Sequence, residues 1–375
     1  MPNPRLLLVL SFWCAFLPVR LAAQSQPTTN PAAAASTTTT VASSKAVPAS
    51  AANPQTPQEF FARARALSDL EASGIPFHLK ATYVATGDAE FTGNGTYEEW
   101  WQSKDLWRKE ATLGNYRYVE IKSGEKSSVY AASSYIPLRL RQTLDAVPIQ
   151  IAPDSGTASK WKLKHRKLKG VDLAVLSSEY ECGDGKYKAK CVAEDYFTQE
   201  GVLRIQLRGS VEDVYNDFEP LQSQLIPRNI GVAGGEGAIL QISVTSLESL
   251  STSEKILLND SPAPANLQRI KLPIDFRKDG KPYAGVIKGK LISESRPIYP
   301  GVAKQQQVEG TVVIDATIDE TGKIREPFVI HSSGRYLDAA ALDAVRTWRY
   351  KPATINDVPI EVTTTISVVF ALNHR

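Results

Sequence analysis

At 375 residues the chain is long enough for two or three domains of ordinary size. Its 42% hydrophobic and 22% charged residues are those of a globular protein, and a net charge of +3 over this length implies no general affinity for nucleic acid. Beyond the N-terminus no stretch approaches the roughly 20 continuous apolar residues that a membrane-spanning helix needs.

The N-terminus reads as an export signal over residues 1–23. Arg5 supplies a short positive region, Leu6 to Val19 is almost wholly apolar, and Leu21-Ala22-Ala23 offers small residues for cleavage before Gln24. Pro18 and Arg20 interrupt the apolar stretch. The competing reading is an uncleaved inner-membrane anchor, and Cys14 lies inside the stretch, where a lipoprotein would not have it. The expected location is the periplasm. Residues 24–57 are rich in Ala, Thr, Ser and Pro with almost no charge, a composition that cannot offset its own ordering entropy, so a disordered linker is expected there.

Order is expected from residue 58 to 260. Glu59 to Leu70 puts Phe60, Ala64, Leu67 and Leu70 on one helical face, and Gly74-Ile75-Pro76 ends it. From Phe77 the texture alternates, with candidate strands at Gly95–Trp101, Leu106–Ala111, Tyr116–Ile121, Lys126–Ala131, Lys160–Lys169, Val171–Glu181, Leu203–Arg208, Leu225–Ile230 and Ala238–Ser246. Many short strands after one helix suggest a large, curved antiparallel sheet. Cys182 and Cys191 remain as an even pair once Cys14 leaves with the signal, and a Gly-Asp-Gly turn between them would bring two strands side by side. In an oxidising compartment they are expected to form a disulfide. The alternative, a redox or metal pair, lacks C-x-x-C spacing and a nearby histidine cluster.

The run Gly95-Thr96-Tyr97-Glu98-Glu99-Trp100-Trp101, followed by Leu106-Trp107-Arg108-Lys109-Glu110, loosely resembles the periplasmic lipoprotein carriers related to LolA. That resemblance implies a half-barrel whose concave face holds an acyl lipid. The alternative is a β-rich domain in which Trp100, Trp101 and Trp107 are core and edge packing.

Ser261-Pro262-Ala263-Pro264 marks a break, and residues 261–290 read as a linker. The last domain, 291–375, carries the most specific pattern. Pro300 would start a short helix over Gly301–Gln307. Val312, Ile314, Ala316 and Ile318 alternate along a strand, Asp319-Glu320-Thr321-Gly322-Lys323 is a hairpin turn, and Ile324 to His331 returns. Leu337, Ala340, Ala341, Ala344, Val345 and Trp348 form one stripe of a helix over Tyr336–Thr347, which Pro352 prevents from continuing. Glu361 to Leu372 is the final strand.

Pro297-Ile298-Tyr299-Pro300, Glu309-Gly310, Asp319-Glu320-Thr321-Gly322, Ser332-Ser333-Gly334, Leu337-Asp338-Ala339-Ala340-Ala341 and Trp348-Arg349-Tyr350-Lys351-Pro352-Ala353 stand in the order and spacing of the TonB C-terminal domain family, which residues 296–372 resemble in detail. The resemblance implies a small ββαβ domain with a short leading helix, so the whole chain is expected to be α+β. It also implies binding of an outer-membrane TonB-dependent transporter by strand addition. The partner-binding residues expected are Val362, Thr364, Ile366, Val368 and Phe370 of the last strand, then Tyr299 and Pro300. Thr363, Thr365 and Ser367 would keep the other face polar. Energy transduction from inner-membrane motor proteins is expected only if the N-terminal segment stays as an anchor.

The sequence offers no enzyme. His78, His165, His331 and His374 have no carboxylate or Cys partner at ligand spacing, no G-x-S-x-G elbow accompanies His331-Ser332, and Gly231 to Gly237 lacks the Lys-Ser/Thr of a phosphate loop. No catalytic residue, metal or cofactor is expected. Lys160 to Lys169 is the strongest basic run; as a strand it puts Trp161, Leu163 and Leu168 inward with its charge outward, as a solvated face or a contact for anionic lipid.

Overall fold

The computed structural model describes residues 53–375 except 148, 150, 152–159, 184–186, 236, 260–262, 273, 276–285 and 373–375. The expected export signal, and nearly all of the expected linker after it, lie outside the described residues.

Helix α1 (Pro57–Ser68) begins on a reciprocal cap: the Thr56 side chain accepts from Glu59 N, and the Glu59 carboxylate accepts from Thr56 N. The sequence predicts one helix through Leu70. The structure breaks it at Asp69, whose backbone is extended and whose carboxylate accepts from Ala72 N at 2.9 Å to cap a second short helix, α2 (Leu70–Ser73). Capping outcompetes the helical period there, because Asp is a better cap than helix interior. Gly74, at φ 70°, ends α2.

Strands β1 (Phe77–Ala85), β2 (Gly93–Ser103), β3 (Leu106–Leu113), β4 (Tyr116–Ser123) and β5 (Lys126–Ala131) form a meander. A second follows with β6 (Lys162–Leu168), β7 (Val171–Cys182), β8 (Ala189–Phe197), β9 (Leu203–Arg208), β10 (Val211–Leu221), β11 (Gln224–Gly234) and β12 (Gly237–Ser249). β1 pairs with β12, from Phe77↔Ser249 to Ala85↔Leu240, joining the two meanders into one large, curved antiparallel sheet. Two helices escaped the sequence reading, α3 (Leu138–Ala146) after β5 and α4 (Thr252–Asn259) after β12; each is too short for its period to stand out.

The apolar core lies on one face of this sheet. Leu79, Ala81, Tyr83, Tyr97 and Trp101 point into it, and Phe60 and Phe61 of α1 with Leu138 and Leu140 of α3 cover them. Trp101 stacks on Phe77 at 5.6 Å, while Trp100 lies on the other face against the His78 ring at 4.8 Å. His78 has carboxylate partners that sequence spacing did not reveal: Glu98 at 2.8 Å across the sheet and Glu254 of α4 at 2.5 Å. Inside the core, Glu99 is fully buried. It accepts from Tyr97 Oη at 2.7 Å and meets Lys109 at 3.3 Å, and burial pushes its carboxyl up to about 7 against the pull of Lys109.

The stretch expected as a linker is instead stitched into both halves. β13 (Gln268–Ile270) pairs with β5 as the last strand of the large sheet, and β14 (Ile274–Asp275) pairs in parallel with the final strand of the chain. Runs of two or three residues are too short for a period to betray them.

The C-terminal part contains β15 (Val286–Ile287), β16 (Lys290–Ser293), α5 (Gly301–Gln305), β17 (Gly310–Ile318), β18 (Ile324–His331), α6 (Arg335–Val345), β19 (Arg349–Lys351), β20 (Ala353–Ile355), β21 (Val358–Ile360) and β22 (Val362–Phe370). Its main sheet has the order β14-β22-β17-β18. Three short strands stand between α6 and β22: β19 pairs with β16, and β20 pairs with β15 and with β21. At the β17–β18 turn, Asp319 Oδ1 accepts from Thr321 N and Lys323 N. Gly322, at φ 81°, lets the carbonyl of Tyr350 approach to where a Cβ would stand, 1.7 Å away.

Candidate functional site

The candidate site is the outer edge of β22 and what fixes it in place. β22 pairs with β17 antiparallel along its whole length, from Val362↔Ile318 to Phe370↔Gly310. On its other side β14 pairs only at Val362 and Thr363, so from Thr364 to Phe370 no second strand adjoins it among the described residues.

Side chains alternate strictly across this pair. Val312, Ile314, Ala316 and Ile318 of β17, with Val362, Ile366, Val368 and Phe370 of β22, face α6 and close the domain core over Leu337, Ala341, Leu342, Val345 and Trp348. Four of the residues expected to meet a partner therefore spend their side chains inside their own domain, and Thr364 is half-buried beside them. What they can present at the edge is backbone. Tyr299 is likewise engaged: its hydroxyl donates to Val308 O at 2.7 Å and its ring meets Phe370 edge-on at 5.4 Å. Pro300 is the N-cap of α5. The Ser332-Ser333-Gly334 loop is tied by Asp338, which accepts from Ser332 Oγ and Ser333 N.

The other face of the pair, carrying Val313, Asp315, Thr317, Thr363, Thr365 and Ser367, is not the solvated face that its threonines and serine suggest. Thr317 and Thr363 are buried, and Val313 is fully enclosed with Cys182, Ala189 and Cys191. Cys182 and Cys191 form a disulfide between β7 and β8, Cα to Cα 5.8 Å. Gly183, just after β7, lies against β22: a Cβ on it, at φ 99°, would lie 2.5 Å from Ser367 Oγ. The sulfurs and a ring nitrogen of His331 lie within 4.8 Å of one another, a juxtaposition made by the fold alone, but with the thiols joined they hold no metal.

β18 makes the remaining junction through two bulges. Ile330 is the extra residue between Val313↔His331 and Ile314↔Val329, and its carbonyl accepts from Ser210 N at 2.9 Å. Ser332 N donates to Ser210 Oγ at 2.9 Å. The second bulge lies between Arg325 and Phe328, where Glu326 takes φ 40°. Its carboxylate accepts from Leu138 N at 2.6 Å, from Glu90 N at 2.8 Å and from the Tyr135 hydroxyl. It thus caps α3, whose own N-cap, Pro137, has no side chain to do so. Arg325 pairs with Glu90 at 2.6 Å and lies over the Tyr135 ring at 4.2 Å, and Arg346 pairs with Asp88. Phe328 inserts into the core of the large sheet against Gly234, where a Cβ would come within 2.6 Å of its ring. Near this seam, burial raises the Glu361 carboxyl to about 7, opposed by Arg141 and Arg325.

None of Ser210, Arg325, Glu326 and Phe328 was singled out from sequence. The one local sign was Glu326-Pro327, which interrupts an otherwise apolar return strand.

Comparison with known proteins gives likenesses of two kinds, one by sequence and one by structure. Residues 295–372 match the family described as Gram-negative bacterial TonB protein C-terminal. Protein TonB of Vibrio cholerae is 32% identical over 89 residues, covering 23% of this chain and 36% of the relative. Protein TonB of Xanthomonas campestris pv. campestris is 36% identical over 78 residues, covering 20% and 35%. The chain thus spans about a third of the length of the curated relatives it matches. Among solved structures, a LolA superfamily protein from Nitrosomonas europaea aligns over 56% of this chain and all of its own, at 11% identity and a TM-score of 0.39. A DUF1329 family protein from Desulfovibrio piger aligns over 54% of this chain and 98% of its own, at 9% identity and a TM-score of 0.34.

Proposed function

We propose that this chain is a TonB-like protein of the cell envelope that recruits an extended segment of an outer-membrane transporter onto the edge of β22. The observation that carries the reading is that edge: among the described residues, Thr364 to Phe370 has a strand on one side only, within the residues that match the TonB C-terminal family. A partner strand would gain backbone hydrogen bonds there without disturbing the core, because Ile366, Val368 and Phe370 already point inward. The side chains that tune its choice would then be those flanking the edge, such as the half-exposed Val369. Transmission of force from inner-membrane motor proteins would require residues 1–23 to remain as an anchor.

The β-rich domain would serve as a rigid body that holds this edge in one orientation. A lipid carrier would need an open apolar groove, whereas α1 and α3 fill the apolar face of the large sheet with Phe60, Phe61, Leu138 and Leu140. That packing supports docking over carriage, and protein repeatedly purified with bound acyl lipid would reverse the preference.

Hydrogen exchange tests the edge. A peptide from the N-terminal segment of a TonB-dependent transporter should protect alternate amides between Thr364 and Phe370, those that point away from β17. Saturating peptide with unchanged exchange along β22 would remove strand addition from the account. Ile366→Pro is no substitute for this test, because Ile366 is also a core residue.

A further inference from the structure

The basic run of residues 160–169 has no part in the docking role above, and the fold gives it a distinctive place. It forms β6, a terminal strand of the large sheet. One side pairs with β7, from Lys162↔Ser177 to Leu168↔Val171, and no strand adjoins the other among the described residues. Lys160 to Lys169 holds five lysines and one arginine without a carboxylate; the rest of the chain, out of 43 basic and 40 acidic residues, is then net negative. Arg166 is engaged, donating to Tyr196 Oη at 2.7 Å and lying 3.7 Å from Glu194, and Lys167 stands opposite Asp172 in register. Lys160, Lys162, Lys164 and Lys167 are exposed, with no ion-pair partner among the described residues.

Alternation sets how this charge is presented. Trp161 and Leu163 pack against the main core, so Lys162 and Lys164 stand on the opposite face of the sheet, where alternation also puts Leu168 in place of the inward position expected for it, and Lys167 returns to the core side at its rim. The edge is therefore fringed with cations on both faces along a strand of about 23 Å.

We propose that the β6 edge is a contact surface for a membrane bearing anionic phospholipid headgroups. A plane of headgroups met edge-on pairs with cations on both faces at once and needs no register, which suits long lysine side chains. An acidic peptide strand would instead need carboxylates at matching positions, as well as a free run of its own backbone. The placement agrees. Ser177, opposite Lys162, is five residues along β7 from Cys182, about 17 Å at strand rise. Gly183, the next residue, lies against Ser367 of β22. A chain docked through β22 on a transporter would thus carry this edge close to the surrounding lipid. The placement depends on the docking reading; the charge argument does not.

The test is co-sedimentation of the full chain with vesicles of phosphatidylcholine alone and of phosphatidylcholine mixed with phosphatidylglycerol, over a salt series. Binding should appear with the mixed vesicles and fall as salt rises. Lys162→Glu/Lys164→Glu/Lys167→Glu should weaken it on the order of a hundredfold, at roughly fivefold per lysine before any repulsion. A control that reverses three exposed lysines elsewhere, Lys126→Glu/Lys271→Glu/Lys290→Glu, carries the same change in net charge and should bind nearly as wild type. Capture of the transporter peptide by the β6 variant should be unchanged, which separates this surface from the β22 edge. Equal loss in both triple variants, binding to neutral vesicles to the same extent, or soluble polyglutamate bound in preference to mixed vesicles would overturn the proposal. An unfolding midpoint equal to wild type shows that the variant is folded, and the triple Lys→Gln variant replaces it if it is not.

Discussion

Phe328→Ala tests whether the two halves of the described chain behave as one folding unit. Phe328 belongs by sequence to the C-terminal module but is 4% exposed within the core of the large sheet. Truncating a buried Phe costs about 3–5 kcal/mol through lost transfer energy and the cavity left behind. The ring also lies under the Arg139 guanidinium at 5.6 Å, a contact adding about 0.5–2 kcal/mol. Solvent reaching the seam would offset part of this, so about 3 kcal/mol is expected. For a body of this size that corresponds to a fall of roughly 4–5 °C in Tm. Urea unfolding should be followed by tryptophan fluorescence, because Trp101 and Trp107 report on the large sheet and Trp348 on the C-terminal core. The expected result is one transition, shifted as a whole. Tyr336→Ala, exposed on the same module, should stay within about 0.5 kcal/mol of wild type. Two transitions, of which only the Trp348-dependent one moves, would refute the coupling and make the contacts of β18 incidental.

Three further outcomes follow from single sites. Glu99 has its carboxyl raised by burial from 4.5 to about 7, so the folded state binds more protons than the unfolded state across that window. Its contribution to stability is therefore present below about 4.5 and lost as pH rises toward about 7, and Glu99→Gln should flatten that part of the pH–stability curve measured by urea midpoints. An unchanged slope would mean that Glu99 ionises on Lys109 at its ordinary pH. Removing the disulfide by Cys182→Ser/Cys191→Ser should cost about 2.6 kcal/mol from loop closure over nine residues of separation. Because Gly183, next to Cys182, abuts Ser367, it should also speed amide exchange in β22; exchange confined to β7 and β8 would argue against that contact. Gly234→Val should destabilise by about 1–3 kcal/mol, since the new side chain competes with the Phe328 ring for one space. A Gly234→Val/Phe328→Ala double variant with the two costs fully additive would show that they do not compete.

Much of the architecture was legible wherever local chemistry is strong. The alternation of Phe77 to Ala85, the stripe Leu337, Ala341, Val345 and the Asp319-to-Gly322 turn announce their elements because periodicity and turn geometry are properties of neighbouring residues. The same holds for the cysteine pair: two cysteines nine positions apart across a turn are a local arrangement, and the disulfide is present. Asp69 shows the limit of this approach, since a helical period continues through it while its carboxylate stops the helix to cap the next.

What only the tertiary structure decided is which faces remain free. By sequence, Thr363, Thr365 and Ser367 make a polar, solvated face, and Ile366 and Phe370 make a binding stripe. In the fold the polar face lies against the disulfide hairpin and the apolar stripe against α6, leaving the backbone edge of β22 as the candidate site. The bulges that aim Ile330 and Glu326 at Ser210 and Leu138 join positions more than a hundred residues apart. No period, cap or turn encodes such contacts, because their energy comes from two surfaces closing on each other, and a sequence carries each surface separately.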